Sequence, residues 1–164
     1  MPTRVPPERT TADVREPVVA FLIGMRINRI RSIRGWLPVY RAMRPMTKEL
    51  RADPSLGMLS RQVFRSGRTF LVLTYWRSFD ALEAYAQGSL HRPAWTAFYQ
   101  RSRQAAGSVG VYHETYMVAP GSVEAIYVDM PADFGLGGAV GRVPATGALQ
   151  TARQRRDRDV EQAA

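Results

Sequence analysis

The chain contains no cysteine and only two histidines, His91 and His113. Without thiols there is no disulfide staple, no thiolate nucleophile and no thiolate metal site, and a reducing compartment is the natural setting. Long apolar runs are also missing. The longest, from Pro17 to Met25, is far short of a membrane span and holds Gly24. The first fifteen residues are polar and proline-bearing, with no apolar core of the signal-peptide kind. A cytoplasmic protein without a membrane partner is therefore expected. Acidic residues are few, 14 against 23 basic ones, for a net charge of +9. Much of that excess lies at the ends, in Arg4, Arg9 and Arg15 and in Arg153, Arg155, Arg156 and Arg158. No recognition motif accompanies these arginines, so they read as solvated tails and no nucleic-acid partner is expected.

What remains is enough for one domain: 164 residues, 45% of them hydrophobic. Residues 1–16 are expected to form a disordered lead, 17–138 the folded domain, and 139–164 a disordered basic tail. Residues 18–27 and 69–77 are apolar at both strand parities, which requires cover on both faces of their sheet. Residues 58–65 alternate, with Leu59 and Val63 set against Ser60 and Gln62, as an edge strand does. A helix is predicted over 36–51 from the stripe Trp36, Val39, Tyr40, Met43, Met46 and Leu50. Pro38 then falls in its first turn, and Pro45 should kink it. Ser78 is a natural N-cap for a second helix through Leu82 and Tyr85. A further helical segment starts near His91, with Pro93 at its first position. Residues 109–118 form the next strand and 123–130 a final short one.

The order is β-α-β-β-α-β with one strand added: an α+β chain with a ferredoxin-like antiparallel sheet and helices on one face. The uncovered second face implies a homodimer in which two sheets meet as a dimeric α/β barrel. His113 and Glu114 interrupt the otherwise uncharged run from Val109 to Val118 and point to opposite faces. A register change of one residue would exchange them.

Several segments together resemble the antibiotic-biosynthesis-monooxygenase-like group of dimeric α/β-barrel proteins. Within it, the chain is most similar to the subgroup of a fungal fumagillin-biosynthesis monooxygenase, formerly a domain of unknown function. The segments are Phe21-Leu22-Ile23-Gly24-Met25-Arg26-Ile27-Asn28, Trp36-Leu37-Pro38, Tyr75-Trp76-Arg77-Ser78-Phe79, His91-Arg92-Pro93-Ala94-Trp95, His113-Glu114-Thr115-Tyr116 and Asp129-Met130-Pro131. They span roughly residues 17–138. The resemblance implies oxygen insertion into a small hydrophobic metabolite held in a barrel cavity, in secondary metabolism, with no cofactor required. It also admits haem, as in oxygenases and dehydratases of this fold, and non-catalytic ligand-binding relatives.

The candidate chemistry is quickly enumerated. His113 is a general base, an axial haem ligand, or a histidine that only holds its strand. His91, at a helix N-terminus, is a second base or a capping residue. Trp76, Trp95, Tyr75 and Tyr116 form an aromatic lining for substrate or simply part of the core. Arg26 and Arg77 are candidates for substrate binding or for pairing with Glu114. The basic stretch Arg26, Arg29, Arg31 and Arg34 clamps a carboxylate, a phosphate or haem propionates, or faces solvent. The Gly135-Leu136-Gly137-Gly138 run lacks the strand and helix context of a dinucleotide site, and no metal-ligand cluster is expected.

Overall fold

A computed structural model of the chain describes residues 8–88, 92–93, 95–97, 100 and 107–161. Its strands are β1 (Thr10–Ala12), β2 (Val18–Ile27), β3 (Met58–Ser66), β4 (Thr69–Trp76), β5 (Val109–Val118) and β6 (Arg142–Pro144). The main sheet has four strands in the order β3-β4-β2-β5, antiparallel throughout. This is the ferredoxin-like arrangement. The two strands that are apolar at both parities, β2 and β4, lie at its centre. The alternating segment β3 takes one edge and the histidine-bearing β5 the other.

Helices α1 (Ile33–Ala52) and α2 (Phe79–Ala86) serve one face of the sheet. There Val19, Leu50, Trp76, Leu82 and Tyr85 form a buried cluster. Helix α1 starts three residues before the predicted boundary, so Pro38 stands in the second turn, not the first. One helix runs through both Pro38 and Pro45. Side chains from α1 and α2 that reach the sheet provide the tertiary packing that offsets each proline's missing donor. The cap at Ser78 is as predicted: its hydroxyl accepts from the Ala81 N–H at 3.1 Å, with Asp80 in the first turn.

The opposite face departs from expectation. Part of it is covered by the chain itself. Tyr127 and Leu136 pack with Ala12, Val14 and Val18, and Tyr75, Val118 and Phe134 adjoin them. The lead and the tail, expected to be disordered, carry structure among the described residues. Strand β1 pairs with β6 in a separate two-stranded sheet. Arg155 of helix α4 (Ala152–Glu161) is buried, with its Nε donating to Glu124 at 2.6 Å and its Nη1 to the Leu149 and Gln150 carbonyls. The β1–β6 pairing joins segments more than a hundred residues apart, so local composition could not signal it. The final strand predicted over 123–130 does not form. Only Tyr127 pairs there, exchanging both backbone hydrogen bonds with Thr10 at 2.8 Å.

The glycine run belongs to this cover. A Cβ on Gly137 would meet the Tyr127 ring at 2.9 Å, and one on Gly138 would strike the Asp133 backbone. The short helix α3 (Gly137–Val140) thereby closes onto Tyr127, whose hydroxyl accepts the Gly137 N–H at 2.9 Å. A strip of the second face stays open toward β5, where Tyr112 lies over Gly24, and Tyr112 and Tyr116 are 41% and 52% exposed. No helix among the described residues is long and apolar enough to cross a membrane.

Candidate functional site

Between the sheet and its helices lies a cavity of about 360 Å³ within one chain. That is the size range of small-molecule sites. The expectation was a chamber between two sheets of a dimer; this cavity needs no second copy to line it. Its floor is the helix-facing parity of the sheet: Phe21 and Ile23 from β2, Val72, Thr74 and Trp76 from β4. Met46, Thr47 and Leu50 of α1 roof it, together with Leu82, Glu83 and Tyr85 of α2. The wall is therefore mainly apolar, with polar groups at its ends.

The register of β5 decides between the two charged candidates. His113 pairs with Ile23 and shares its face, so its imidazole lines the cavity. Glu114 pairs with Leu22 and faces the other way. The imidazole stands at the exposed edge, with ring centroids 5.7 Å from Phe21 and 6.3 Å from Trp95, the latter edge-on. Trp95, on the helical segment around 92–97, thus brings His113 and the roof together. Among the described residues His113 makes no hydrogen bond, which leaves both ring nitrogens for a ligand. His91 lies outside the described residues.

Trp76 is the inner floor. It is 1% exposed, stacks at a tilt on Tyr85 with centroids 5.4 Å apart, and donates from Nε1 to Thr74 Oγ1 at 2.8 Å. Thr74 passes the bond on to the Phe21 carbonyl at 3.1 Å. The Tyr85 hydroxyl donates to the Met46 carbonyl at 3.3 Å. Burial first, then the charge and hydrogen bond of Glu49, raise the Tyr85 phenol above its ordinary value. Burial and the neighbouring Tyr127 likewise raise Tyr75. A raised folded-state value means that stability is complete below the unfolded tyrosine value, about pH 10, and is lost as pH rises through the folded-state values. Urea midpoints are therefore expected to hold from about pH 8 to 10 and to fall above that, with a shallower fall in Tyr85→Phe. An equally steep fall in that variant would show that the Tyr85 hydroxyl does not set it.

The other expected substrate contacts are not at the cavity. Tyr75 and Tyr116 belong to the opposite face. Tyr116 donates to Glu114 at 2.9 Å, and the carboxylate holds its phenol above the ordinary value. Arg26 donates to Thr69 Oγ1 at 3.1 Å. Arg77 donates to the Ser55 carbonyl and packs against Gly57, where it fastens the turn after α1. Neither arginine pairs with Glu114, which already has Tyr116. Arg29, Arg31 and Arg34 are exposed and line no part of the cavity.

Among the described residues two cations at the cavity were not anticipated, Arg61 of β3 and Arg92. For Arg61 a signal existed. It shares strand parity with Leu59 and Val63, so a charge lay on the parity facing the helices. Among the described residues no group of three or more His, Asp or Glu side chains could hold a metal.

A four-stranded antiparallel sheet with helices on one face and a ligand-sized, mainly apolar cavity beneath them defines an α+β protein of the ferredoxin-like class. More particularly, the chain belongs to the monooxygenase af470-like family, whose model matches residues 18–136. It is 32% identical over 85 residues to monooxygenase af470 of Aspergillus fumigatus, a match covering 49% of this chain and 30% of that protein. The chain thus spans less than a third of the length of that relative. Among solved structures, aldoxime dehydratase OxdRE superposes with a TM-score of 0.63 at 17% identity, over 81% of this chain and 40% of that one. SnoaB of Streptomyces nogalater, a cofactor-independent oxygenase, gives a TM-score of 0.44 at 12% identity, over 62% of this chain and 92% of that one. At 17% identity the likeness to the dehydratase is one of fold.

Proposed function

We propose that the chain is a cofactor-independent monooxygenase acting on a small hydrophobic metabolite, with His113 as general base. The observation that carries this reading is the His113 imidazole on the wall of an aromatic-rich cavity, without a hydrogen bond among the described residues. His113 removes a proton from an acidified ring carbon. The carbanion gives an electron to O₂, and the resulting radical pair combines to a peroxide. Loss of water from the hydroperoxide turns the original CH₂ into C=O, so one O₂ and one CH₂ yield one carbonyl and one H₂O. The substrate supplies all the electrons, which confines it to enols, phenols and similarly acidified carbons. Dry walls at Phe21, Trp76 and Trp95 favour the delocalised anion over its quenching by water. Secondary metabolism in the cytoplasm is the setting this reading implies.

The test is oxygen uptake and ¹⁸O₂ incorporation with ring ketones that carry acidified methylenes, such as 2-indanone and 2-tetralone. Uptake above the protein-free rate with label in the product is expected. Product oxygen drawn from water would sink the reading.

A second reading places haem in this cavity, where His113 would hold the iron and the group would supply the redox chemistry. The propionate role would then pass from the 26–34 arginines to Arg61 and Arg92, the arginines that line the cavity among the described residues. A Soret band in protein expressed with haem precursor, lost in His113→Ala, is the result this alternative requires.

The reading also includes a homodimer through the open strip of the second face. Tyr112 and Tyr116 are the large exposed side chains that a second copy would cover. Sedimentation velocity at micromolar concentration is expected to give twice the chain mass, and a stable monomer would remove the dimer.

A further inference from the structure

Arg61 is in an uncomfortable place for a cation. It is half-buried on the wall of an apolar cavity, and its hydrogen bond to Thr47 Oγ1 is long, at 3.4 Å. Among the described residues no carboxylate pairs with it. Glu83 shares the wall but makes no ion pair there. The charge that does act on it, from Arg51, has the same sign. Desolvating a guanidinium without a counter-charge is costly, and a planar fork of donors matches a carboxylate. The row across the sheet sets the distance. Arg61 is paired with Thr74, Thr74 with Phe21, and Phe21 with Thr115, the next residue on the face of β5 that carries His113. Arg61 and His113 are therefore at opposite ends of the floor, three strand spacings across and two residues along, roughly 16 Å apart at the backbone. Their side chains reach inward from both ends and leave room for a flat framework of more than one ring.

We propose that Arg61 is the anion subsite of this cavity and that the ligand is a flat, apolar acid. Its carboxylate lies on the guanidinium and its ring system extends over Thr74 and Phe21 toward His113. The inference rests on the functional reading above only in giving the far end of the ligand to His113.

The test compares 4-biphenylcarboxylate with its neutral amide on the full chain under nitrogen, by calorimetry or by quenching of tryptophan fluorescence. The acid is expected to bind about tenfold or more tightly than the amide. Arg61→Gln should abolish that preference while leaving the amide affinity unchanged, which also reports that the variant is folded. Arg61→Lys should keep part of the preference, because it keeps the charge and loses the fork. His113→Gln should keep all of it. Equal binding of acid and amide, a preference that survives in Arg61→Gln, or no binding of the acid at millimolar concentration would each overturn the inference. Because both probes are unreactive, failed oxygen chemistry with an intact acid preference would reject the monooxygenase reading alone. Oxygen chemistry without the preference would reject the anion subsite alone.

Discussion

Replacing His113 by glutamine is expected to lower oxygen uptake with an acidified ring ketone by about 10²- to 10⁴-fold, the usual worth of a general base. The loss should appear in kcat, because the imidazole's distinctive contribution is proton removal and not adhesion. The fold should tolerate the change. His113 is exposed on edge strand β5, its backbone pairing with Ile23 is retained, and its ring contacts in the cavity are with Phe21 and Trp95. A second measurement separates base from scaffold. Under nitrogen in D₂O, the wild-type protein should catalyse exchange of the substrate's acidic methylene hydrogens, and His113→Gln should not. A purely structural histidine would give the opposite pattern: a lower urea midpoint with exchange intact. Undiminished oxygen uptake in the glutamine variant would remove His113 from the reaction.

The fold was legible where pattern is local. Apolar residues at both parities of β2 and β4 announced central strands covered twice, and the alternation of β3 announced an edge. What covers the second face was not legible. A second copy was the economical expectation, yet part of the cover is the chain's own segment around Tyr127 and Leu136, tied down by Thr10 and Arg155. Nothing in the polar lead or the arginine-rich tail marks them as partners of each other, because their pairing becomes favourable only once the intervening sheet exists. For the site, the run Val109-Val111-His113 already placed the histidine on the parity of two branched apolar residues, and Glu114 on that of Tyr112 and Tyr116. That pattern contained the answer to which one faces the helices, and burial of Val109 agrees with it. Tyr75 and Trp76 were grouped as one aromatic lining although neighbours in a strand cannot share a face. Arg61 was passed over because a charge in an alternating strand that also carries Arg65 reads as solvated until the helix opposite it is known.

Trp76→Ala is expected to cost about 3–5 kcal/mol, the range for truncating a fully enclosed large aromatic. Three effects combine. The indole is almost wholly shielded, so its removal returns nothing to solvent and opens a void between β4 and Tyr85. Thr74 Oγ1 loses the donor that reaches it at 2.8 Å, although its own bond to the Phe21 carbonyl remains. The void also merges with the ligand cavity, whose inner floor Trp76 forms, so alternative packings of Leu50 and Leu82 become accessible. Against a total stability of about 5–15 kcal/mol for a domain, such a loss leaves the native state marginal. Urea unfolding should show a sharply lower midpoint. Trp76→Phe should fall between, since it keeps much of the packing and loses the indole donor. Met117→Ala is the internal contrast. That side chain is 66% exposed near the end of β5, away from the strip a second copy would cover, and its removal should cost well under half as much. If Trp76→Ala and Met117→Ala were equally mild, the indole would not be the keystone between sheet and helices, and the cavity above it would not have the rigid floor that positioning a substrate against His113 requires.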